Sequence, residues 1–216
     1  MYVITDSRLC SPRPLAACVE AALRGGATVL QLREKEMSAR RLVEVGRELV
    51  RLARQAGVPL IVNDRVDVAA AIDADGVHLG PDDLPVADAR RILGPRRIIG
   101  ASVESPEEAL QAQAAGADYL GVGPIFATST KPDAGSPRGP ALVRSVRACT
   151  RLPLVAISGI TAANAGEAIE AGADGVAVIS AVMAAADVER ATRELAEAVR
   201  QARARRTAGG GEPRSG

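Results

Sequence analysis

The 216-residue sequence is poor in aromatic residues, with one Phe, two Tyr and no Trp. Stacking on aromatic rings therefore cannot be the main way in which this protein holds a ligand. No apolar run approaches the roughly 18–20 residues that cross a bilayer, and no N-terminal stretch has the layout of a secretory signal. These absences predict no membrane partner, and the scattered cysteines described next predict a protein of the reducing cytoplasm.

Cysteine is also scarce. Cys10, Cys18 and Cys149 form no CxxC pair and no metal-ligand spacing, so we expect neither a disulfide framework nor a structural zinc site. The formal net charge is only +1. A nucleic-acid or membrane-surface binder would need a concentrated basic face, so we expect no nucleic-acid partner.

Lysine is rare although basic residues are not. Of 27 basic residues only Lys35 and Lys131 are lysines, and the other 25 are arginines. A lysine that persists against this preference indicates a position that needs a compact ammonium rather than a planar guanidinium. We therefore treat both lysines as candidate ligand-binding residues.

Short apolar, β-branched segments alternate with segments of helical periodicity, such as 38–55 with Leu42, Val45 and Leu49 on one face. Continuous apolar strands separated by amphipathic helices predict a parallel sheet covered by helices. The predicted strands are Tyr2–Thr5, Thr28–Leu32, Leu60–Val62, Gly76–Leu79, Arg97–Ala101, Tyr119–Val122, Leu154–Ala156 and Gly175–Ile179.

A weak internal repeat recurs around Ala27, Ala74, Ala117 and Ala173, and each interval holds two strand–helix units. This pattern favours an α/β protein with a single (β/α)8 TIM barrel of eight parallel strands over residues 1–206. The alternative is an open doubly wound sheet, which would usually show a Gly-rich turn after its first strand, whereas residues 5–8 contain no glycine. Residues 207–216 are rich in Gly and predict a disordered tail.

The chemistry of such a barrel lies at the carboxyl ends of its strands. After the second strand, alternation places Gln31, Arg33 and Lys35 on one side and Leu32 on the other. Two cations and an amide that point into the barrel mouth would form an anion clamp. The alternative is a solvated charge cluster at the start of a helix.

Carboxylates follow the third and fourth strands, with Asn63 and Asp64 in the first loop and Asp82 and Asp83 in the second. Carboxylates on adjacent loops can converge on Mg2+, with water and substrate phosphates as the remaining ligands. The alternative is that these aspartates cap the helices that follow. We interpret the sole histidine, His78, as a hydrogen-bonded core residue.

The remaining loops carry hydroxyls, an ammonium and a glycine. Ser102 either donates a hydrogen bond to a ligand or starts a helix, and the long loop that ends at Lys131 has hydroxyls that suit phosphate. Gly159 and Ser180 follow the seventh and eighth strands, where barrels often bind phosphate. The mouth would therefore accept two phosphorylated small molecules, or one long one.

Several motifs occur together and in order, and as a set they resemble the thiamine-phosphate synthase family over about residues 2–200. They are Gln-Leu-Arg-Glu-Lys at 31–35, Asn-Asp-Arg at 63–65, His-Leu-Gly-Pro-Asp-Asp at 78–83 and Gly-Pro-Ile-Phe-Ala-Thr-Ser-Thr-Lys at 123–131, with 2–6 and 178–181. The family often has Gly-Gly-Ile where this chain has Ser-Gly-Ile at 158–160.

The resemblance implies a TIM-barrel transferase that joins 4-amino-2-methyl-5-hydroxymethylpyrimidine diphosphate to a thiazole phosphate, giving thiamine phosphate and pyrophosphate. It also implies that the pyrimidine ionises first and that the thiazole nitrogen captures the cation. The implied ligands of the pyrimidine diphosphate are Gln31, Leu32, Arg33, Glu34, Lys35, Asn63, Ser102 and Lys131, of which Arg33, Lys35, Ser102 and Lys131 are catalytic. Asp64 and Asp83 are the implied Mg2+ ligands, and the thiazole phosphate is assigned to Thr128, Ser129, Thr130, Gly159, Ile179 and Ser180.

Three other functions are weighed on the same barrel. A related thiazole tautomerase is expected to place a histidine in the strand-six loop, where this chain has Pro124 and no histidine. A phosphosugar isomerase or epimerase would need a paired acid and base. A catalytically silent phosphate-binding barrel would not need Lys35, Lys131 and the two metal-type aspartates. The sequence leaves a homo-oligomer open.

Overall fold

The computed structural model describes residues 1–128, 130 and 135–209. Ser129, Lys131 and residues 210–216, which carry three of the predictions, lie outside the described residues. Eight parallel strands close into a barrel in chain order. The strands are β1 (Tyr2–Ile4), β2 (Val29–Leu32), β3 (Leu60–Asn63), β4 (Gly76–Leu79), β5 (Ile98–Val103), β6 (Tyr119–Val122), β7 (Leu154–Ala156) and β8 (Gly175–Val178).

Closure of the sheet decides between the two predicted topologies. Strand β1 pairs with β8 through Tyr2 opposite Ala177 and Val3 opposite Val178, so the sheet has no free edge. The TIM barrel is therefore confirmed and the open doubly wound sheet is wrong. Strand β5 runs two residues further than predicted, which places Ser102 inside the strand rather than after it.

Ten helices occur in the described ranges, against eight predicted. They are α1 (Ser7–Cys10), α2 (Leu15–Arg24), α3 (Ala39–Gln55), α4 (Val66–Ala71), α5 (Val86–Leu93), α6 (Pro106–Ala114), α7 (Pro140–Cys149), α8 (Ala165–Glu170), α9 (Ser180–Met183) and α10 (Val188–Gly209). The two additional helices, α1 and α9, are single turns and too short to show a 3.6-residue period. Among the helices of the described part, none combines the length and apolar character needed to cross a bilayer.

The last helix corrects the predicted domain boundary. Helix α10 continues to Gly209, so residues 207–209 are helical rather than part of a disordered tail. The Thr207 hydroxyl donates to the carbonyls of Arg203 and Ala204, which ties the last turn to the preceding one. The prediction for the remaining tail concerns residues outside the described part.

The main hydrophobic core lies between the strands and the surrounding helices, and includes the fully buried Leu30, Leu32 and Leu49. A second, smaller cluster fills the inside of the barrel with Tyr2, Ile4, Ile61, Tyr119 and Ala177. This inner cluster forms the floor beneath the mouth, because strand alternation sends these side chains inward. All three cysteines are described and are free thiols.

The internal repeat has a structural role at the amino-terminal end of the barrel. The Leu60 amide donates to the Asp75 carboxylate at 2.8 Å, and the Asp75 amide donates back to the Leu60 carbonyl at 2.9 Å. The same reciprocal pair joins Ile99 to Asp118 and Leu154 to Asp174. Three of the four repeats therefore clamp an odd-numbered strand to the strand that follows it.

Candidate active site

A cavity of about 560 Å³ opens at the carboxyl end of the barrel. It collects twelve of the sixteen predicted site residues, from loops that are distant in sequence. Those that line it are Gln31, Arg33, Lys35, Asn63, Asp64, Asp83, Ser102, Thr128, Thr130, Gly159, Ile179 and Ser180. The predicted anion clamp, carboxylate pair and phosphate cradle thus share one mouth.

Two predicted substrate contacts do not line this cavity with their side chains. Leu32 points outward into the main core, because successive side chains of a strand face opposite sides. The Glu34 carboxylate accepts hydrogen bonds from the Ser7 amide at 3.1 Å and the Ser7 hydroxyl at 2.6 Å. Glu34 therefore fastens the β2 loop to α1, and the contacts of Leu32 and Glu34 with the pyrimidine diphosphate stay predictions. Ser129 and Lys131 lie outside the described residues.

Asp64 and Asp83 meet at the end of β3 and β4. Burial and the neighbouring Asp83 carboxylate raise the pKa of Asp64 to about 6, and the Lys35 and Arg33 cations oppose this rise. The Asp83 carboxylate also accepts a hydrogen bond from the Gly80 amide at 2.6 Å. Two carboxylates held together against their mutual repulsion are a suitable environment for a divalent cation.

Helix capping does not explain these aspartates. The N-cap position of α4 is Arg65 and that of α5 is Pro85, so neither aspartate occupies an N-cap position. Neither helix has a capping hydrogen bond from the side chain at its N-cap position. Asp64 itself has φ 62, a left-handed conformation that turns the chain after β3. The described residues contain no group of three or more metal-type side chains. A hard cation here would therefore take most of its ligands from water and substrate oxygens.

The loops after β6, β7 and β8 meet on the other side of the cavity. The Thr130 hydroxyl donates to the Ser180 hydroxyl at 2.9 Å, which joins the β6 loop to the start of α9. Gly159 has φ 65, and a Cβ atom there would lie 2.3 Å from the Ala127 carbonyl oxygen. Only glycine allows this approach. The hydroxyl residues Thr128, Thr130 and Ser180 line the cavity together with Gly159.

Sequence reasoning missed a row of polar side chains across the cavity floor. His78 is hydrogen-bonded, as predicted, but it also lines the cavity, together with Tyr2 and Tyr119. A signal was available in the composition, because these three residues are the only histidine and the only two tyrosines of the chain. All three occupy strand positions whose side chains face inward.

These features define a class: a (β/α)8 barrel whose mouth gathers hydroxyls, a glycine backbone and a carboxylate pair placed beside basic side chains. Comparison with known proteins gives the family. The thiamine monophosphate synthase family matches residues 1–182.

Individual relatives agree with the family match. The thiamine-phosphate synthase of Chloroflexus aurantiacus is 57% identical over 195 residues, which cover 90% of each chain. That of Moorella thermoacetica is 54% identical over 203 residues, 94% of this chain and 97% of the other. A solved thiamine phosphate pyrophosphorylase from Pyrococcus furiosus superposes with a TM-score of 0.86 at 48% identity, covering 93% and 95% of the two chains.

The chain therefore belongs to the thiamine monophosphate synthase family, and it is a transferase of the thiamine-phosphate synthase type. The resemblance recognised in the sequence is confirmed.

Proposed function

We propose that this enzyme condenses 4-amino-2-methyl-5-hydroxymethylpyrimidine diphosphate with a thiazole phosphate, in a Mg2+-dependent reaction that releases pyrophosphate. The observation that carries the proposal is that Arg33 and Lys35 line the same mouth as the Asp64–Asp83 pair. A diphosphate is the ligand whose charge suits this combination, because it can accept the basic side chains and share a cation with the carboxylates.

Asp64 and Asp83 would hold the Mg2+, and their chemistry fits it. Both supply carboxylate oxygens, and no softer ligand is needed. The bound ion would supply positive charge to the oxygens of the departing diphosphate. The two side chains therefore support the leaving group rather than act as bases.

We assign the substitution a dissociative course, in which the bond from the pyrimidine methylene to the diphosphate oxygen breaks before the thiazole nitrogen attacks. Arg33 and Lys35 stabilise the charge that develops on the diphosphate, and fixed charges of this kind commonly contribute the largest part of catalysis. Neither step removes a proton from carbon, so the course needs no dedicated general base.

The thiazole phosphate is assigned to the opposite wall. Thr128, Thr130 and Ser180 supply hydroxyls there, and Gly159 lets the backbone come close to a phosphate. Ile179 adds an apolar surface at the end of β8.

The roles of Ser129 and Lys131 stay predictions from the sequence. We place the reaction in the cytoplasm, where three free thiols would remain reduced.

A two-substrate assay tests this proposal. Purified full-length protein should release pyrophosphate only when the pyrimidine diphosphate, the thiazole phosphate and Mg2+ are all present. EDTA should abolish the release and excess Mg2+ should restore it. Turnover that is unchanged in EDTA would refute the metal assignment, whereas no pyrophosphate under any of these conditions would refute the proposed reaction.

A further inference from the structure

Five side chains form a continuous hydrogen-bonded row across the floor of the cavity, from Gln31 on β2 to Ser102 on β5. The Gln31 amide nitrogen donates to the Tyr2 hydroxyl at 2.7 Å, and the two tyrosine hydroxyls are 2.8 Å apart. The Tyr119 hydroxyl is 2.9 Å from His78 Nδ1, and His78 Nε2 is 2.9 Å from the Ser102 hydroxyl. Only the two end members are assigned to the substrate.

The backbone is shaped to hold the rings of this row. A Cβ atom at Gly100 would lie 2.1 Å from Tyr119 Cζ, and one at Gly121 would lie 2.9 Å from His78 Cε1. The His78 and Tyr119 rings stack with centroids 5.5 Å apart. The row is therefore packed in place rather than loosely collected.

Proton counting gives the row a direction. Burial raises the pKa of both tyrosines, so each phenol keeps one proton to donate. The Tyr2 oxygen already accepts from Gln31, and Tyr119 is its other hydrogen-bond partner in the described structure. If Tyr119 donated to Tyr2, the buried Tyr2 proton would be left without an acceptor, which is unfavourable for a buried donor.

The favoured direction runs from Tyr2 to Tyr119 and then to His78 Nδ1. His78 then carries its proton on Nε2 and donates it to the Ser102 oxygen. As a result the Ser102 hydroxyl proton is not used by His78 and can be donated to a ligand. At the other end, the Gln31 amide nitrogen is engaged by Tyr2, so its carbonyl oxygen remains to accept from a ligand.

We propose that Tyr2, Tyr119 and His78 are positioning residues, which fix Gln31 as a hydrogen-bond acceptor and Ser102 as a hydrogen-bond donor toward the heterocycle. This pattern selects a ring with an amino donor toward β2 and a ring-nitrogen acceptor toward β5. An aminopyrimidine offers both groups. The assignment of this ligand rests on the proposed function, whereas the direction of the row does not.

The direction can be measured on the free enzyme. Because His78 is the only histidine, ¹⁵N-histidine labelling gives a single imidazole whose tautomer can be read by NMR at pH 8. We expect the proton on Nε2. A proton on Nδ1 would overturn the inference, even in a protein that releases pyrophosphate. A protein with the Nε2 tautomer that releases none would instead contradict the proposed function alone.

Binding tests the positioning role. Tyr119→Phe should raise the Kd of the pyrimidine diphosphate about tenfold, as the loss of one buried hydrogen bond commonly does, and should leave the Kd of the thiazole phosphate unchanged. Both constants are measured by calorimetry with Mg2+. In a Ser102→Ala background the same change should have a smaller further effect, because Tyr119 acts partly through His78 on Ser102 and partly through Tyr2 on Gln31. If the effects of the two substitutions on the Kd of the pyrimidine diphosphate simply added in the double variant, Tyr119 would have a merely structural role. The same would hold if Tyr119→Phe raised the Kd of both ligands equally.

A matched control removes a buried hydroxyl elsewhere. The Thr192 hydroxyl on α10 is fully buried and donates to the Val188 carbonyl. Thr192→Val should lower the melting temperature without changing the Kd of either ligand.

Discussion

The two ends of the barrel use charge in opposite ways. At the amino-terminal end, arginines and aspartates pair with each other: Arg90 with Asp118 at 2.6 Å, and Arg147 with Asp174 at 3.3 Å. At the carboxyl end, Arg33 and Lys35 belong to none of the ion pairs found among the described residues, although they lie near Asp64. The first end satisfies its own charges. The mouth leaves those of Arg33 and Lys35 available to a ligand, although Arg8 and Arg65 at the same end pair with Asp6 and Asp67.

Charged residues therefore serve stability at the amino-terminal end of the barrel and ligand binding at the carboxyl end. The aspartates at the amino-terminal end also accept backbone amides of the preceding strand, so their charge contributes to strand pairing. Charge at the mouth is held close together and would be neutralised by a diphosphate and a cation. Substitutions at the two ends should therefore affect different measurements.

The largest expected effect is on turnover at the mouth. Arg33→Ala should reduce kcat/KM by about 10²-fold or more, because one preorganised charge beside the leaving group is lost. Its melting temperature should stay near that of the unsubstituted protein. Steady-state pyrophosphate release and thermal unfolding measure the two quantities.

Arg97→Ala is the matched change at the other end. Arg97 donates to the Ala74 carbonyl at 2.8 Å and pairs with Asp73. It should lower the melting temperature and leave kcat/KM within twofold. If Arg33→Ala kept more than half of the activity, or if Arg97→Ala impaired turnover in a folded protein, the separation of the two ends would fail.

A moderate effect on stability is expected from the strand clamps. The Asp118 carboxylate accepts the Ile99 amide at 2.7 Å and pairs with Arg90. Asp118→Ala should cost about 1–2 kcal/mol, since hydrogen bonds to charged groups contribute about 1.5–3 kcal/mol and partial exposure weakens this one. In a domain of this size that is a fall of about 3–6 °C.

Asp118→Asn keeps an acceptor for the Ile99 amide, so it should lose less stability than the alanine variant. Differential scanning calorimetry would rank the two variants, and kcat/KM should be unchanged in both. Equal melting temperatures for Asp118→Ala and the unsubstituted protein would show that the clamp contributes nothing.

The sequence predicted the barrel well because its signals are local. Strands β4, β6 and β7 have the predicted bounds, since short apolar segments between periodic helices define them. The row from Gln31 to Ser102 was not predicted, because it depends on which side chains of five different strands meet inside the barrel. The Glu34 contact with Ser7 was missed for the same reason: it joins loops that only closure of the barrel brings together.

The smallest expected effect is a change in melting temperature when the same Asp→Asn substitution is made at each end of the barrel. Asp64 at the mouth and Asp73 at the amino-terminal end both have left-handed backbones, with φ 62 and 57. Asparagine tolerates this conformation well, so Asp→Asn changes mainly the charge at either position. Burial and Asp83 raise the pKa of Asp64 to about 6 from 3.8, whereas Arg54 and Arg97 lower the pKa of Asp73.

Linkage gives these two shifts opposite signs. A raised pKa means that the folded protein binds more protons, so Asp64 makes the free energy of unfolding fall as the pH rises from about 4 to about 6. Asp73 instead contributes stability that is present above its unfolded pKa and is lost as the pH falls through its lowered value. At pH 7.5 without metal, Asp64→Asn should therefore raise the melting temperature by up to about 2–4 °C, after allowance for solvent screening, and Asp73→Asn should lower it slightly.

Below pH 4 the gain in melting temperature from Asp64→Asn should vanish. At pH 7.5, Mg2+ should stabilise the unsubstituted protein more than the Asp64→Asn variant. A metal-free Asp64→Asn protein that melts lower at pH 7.5 would show that the mouth does not hold its carboxylates against their own repulsion.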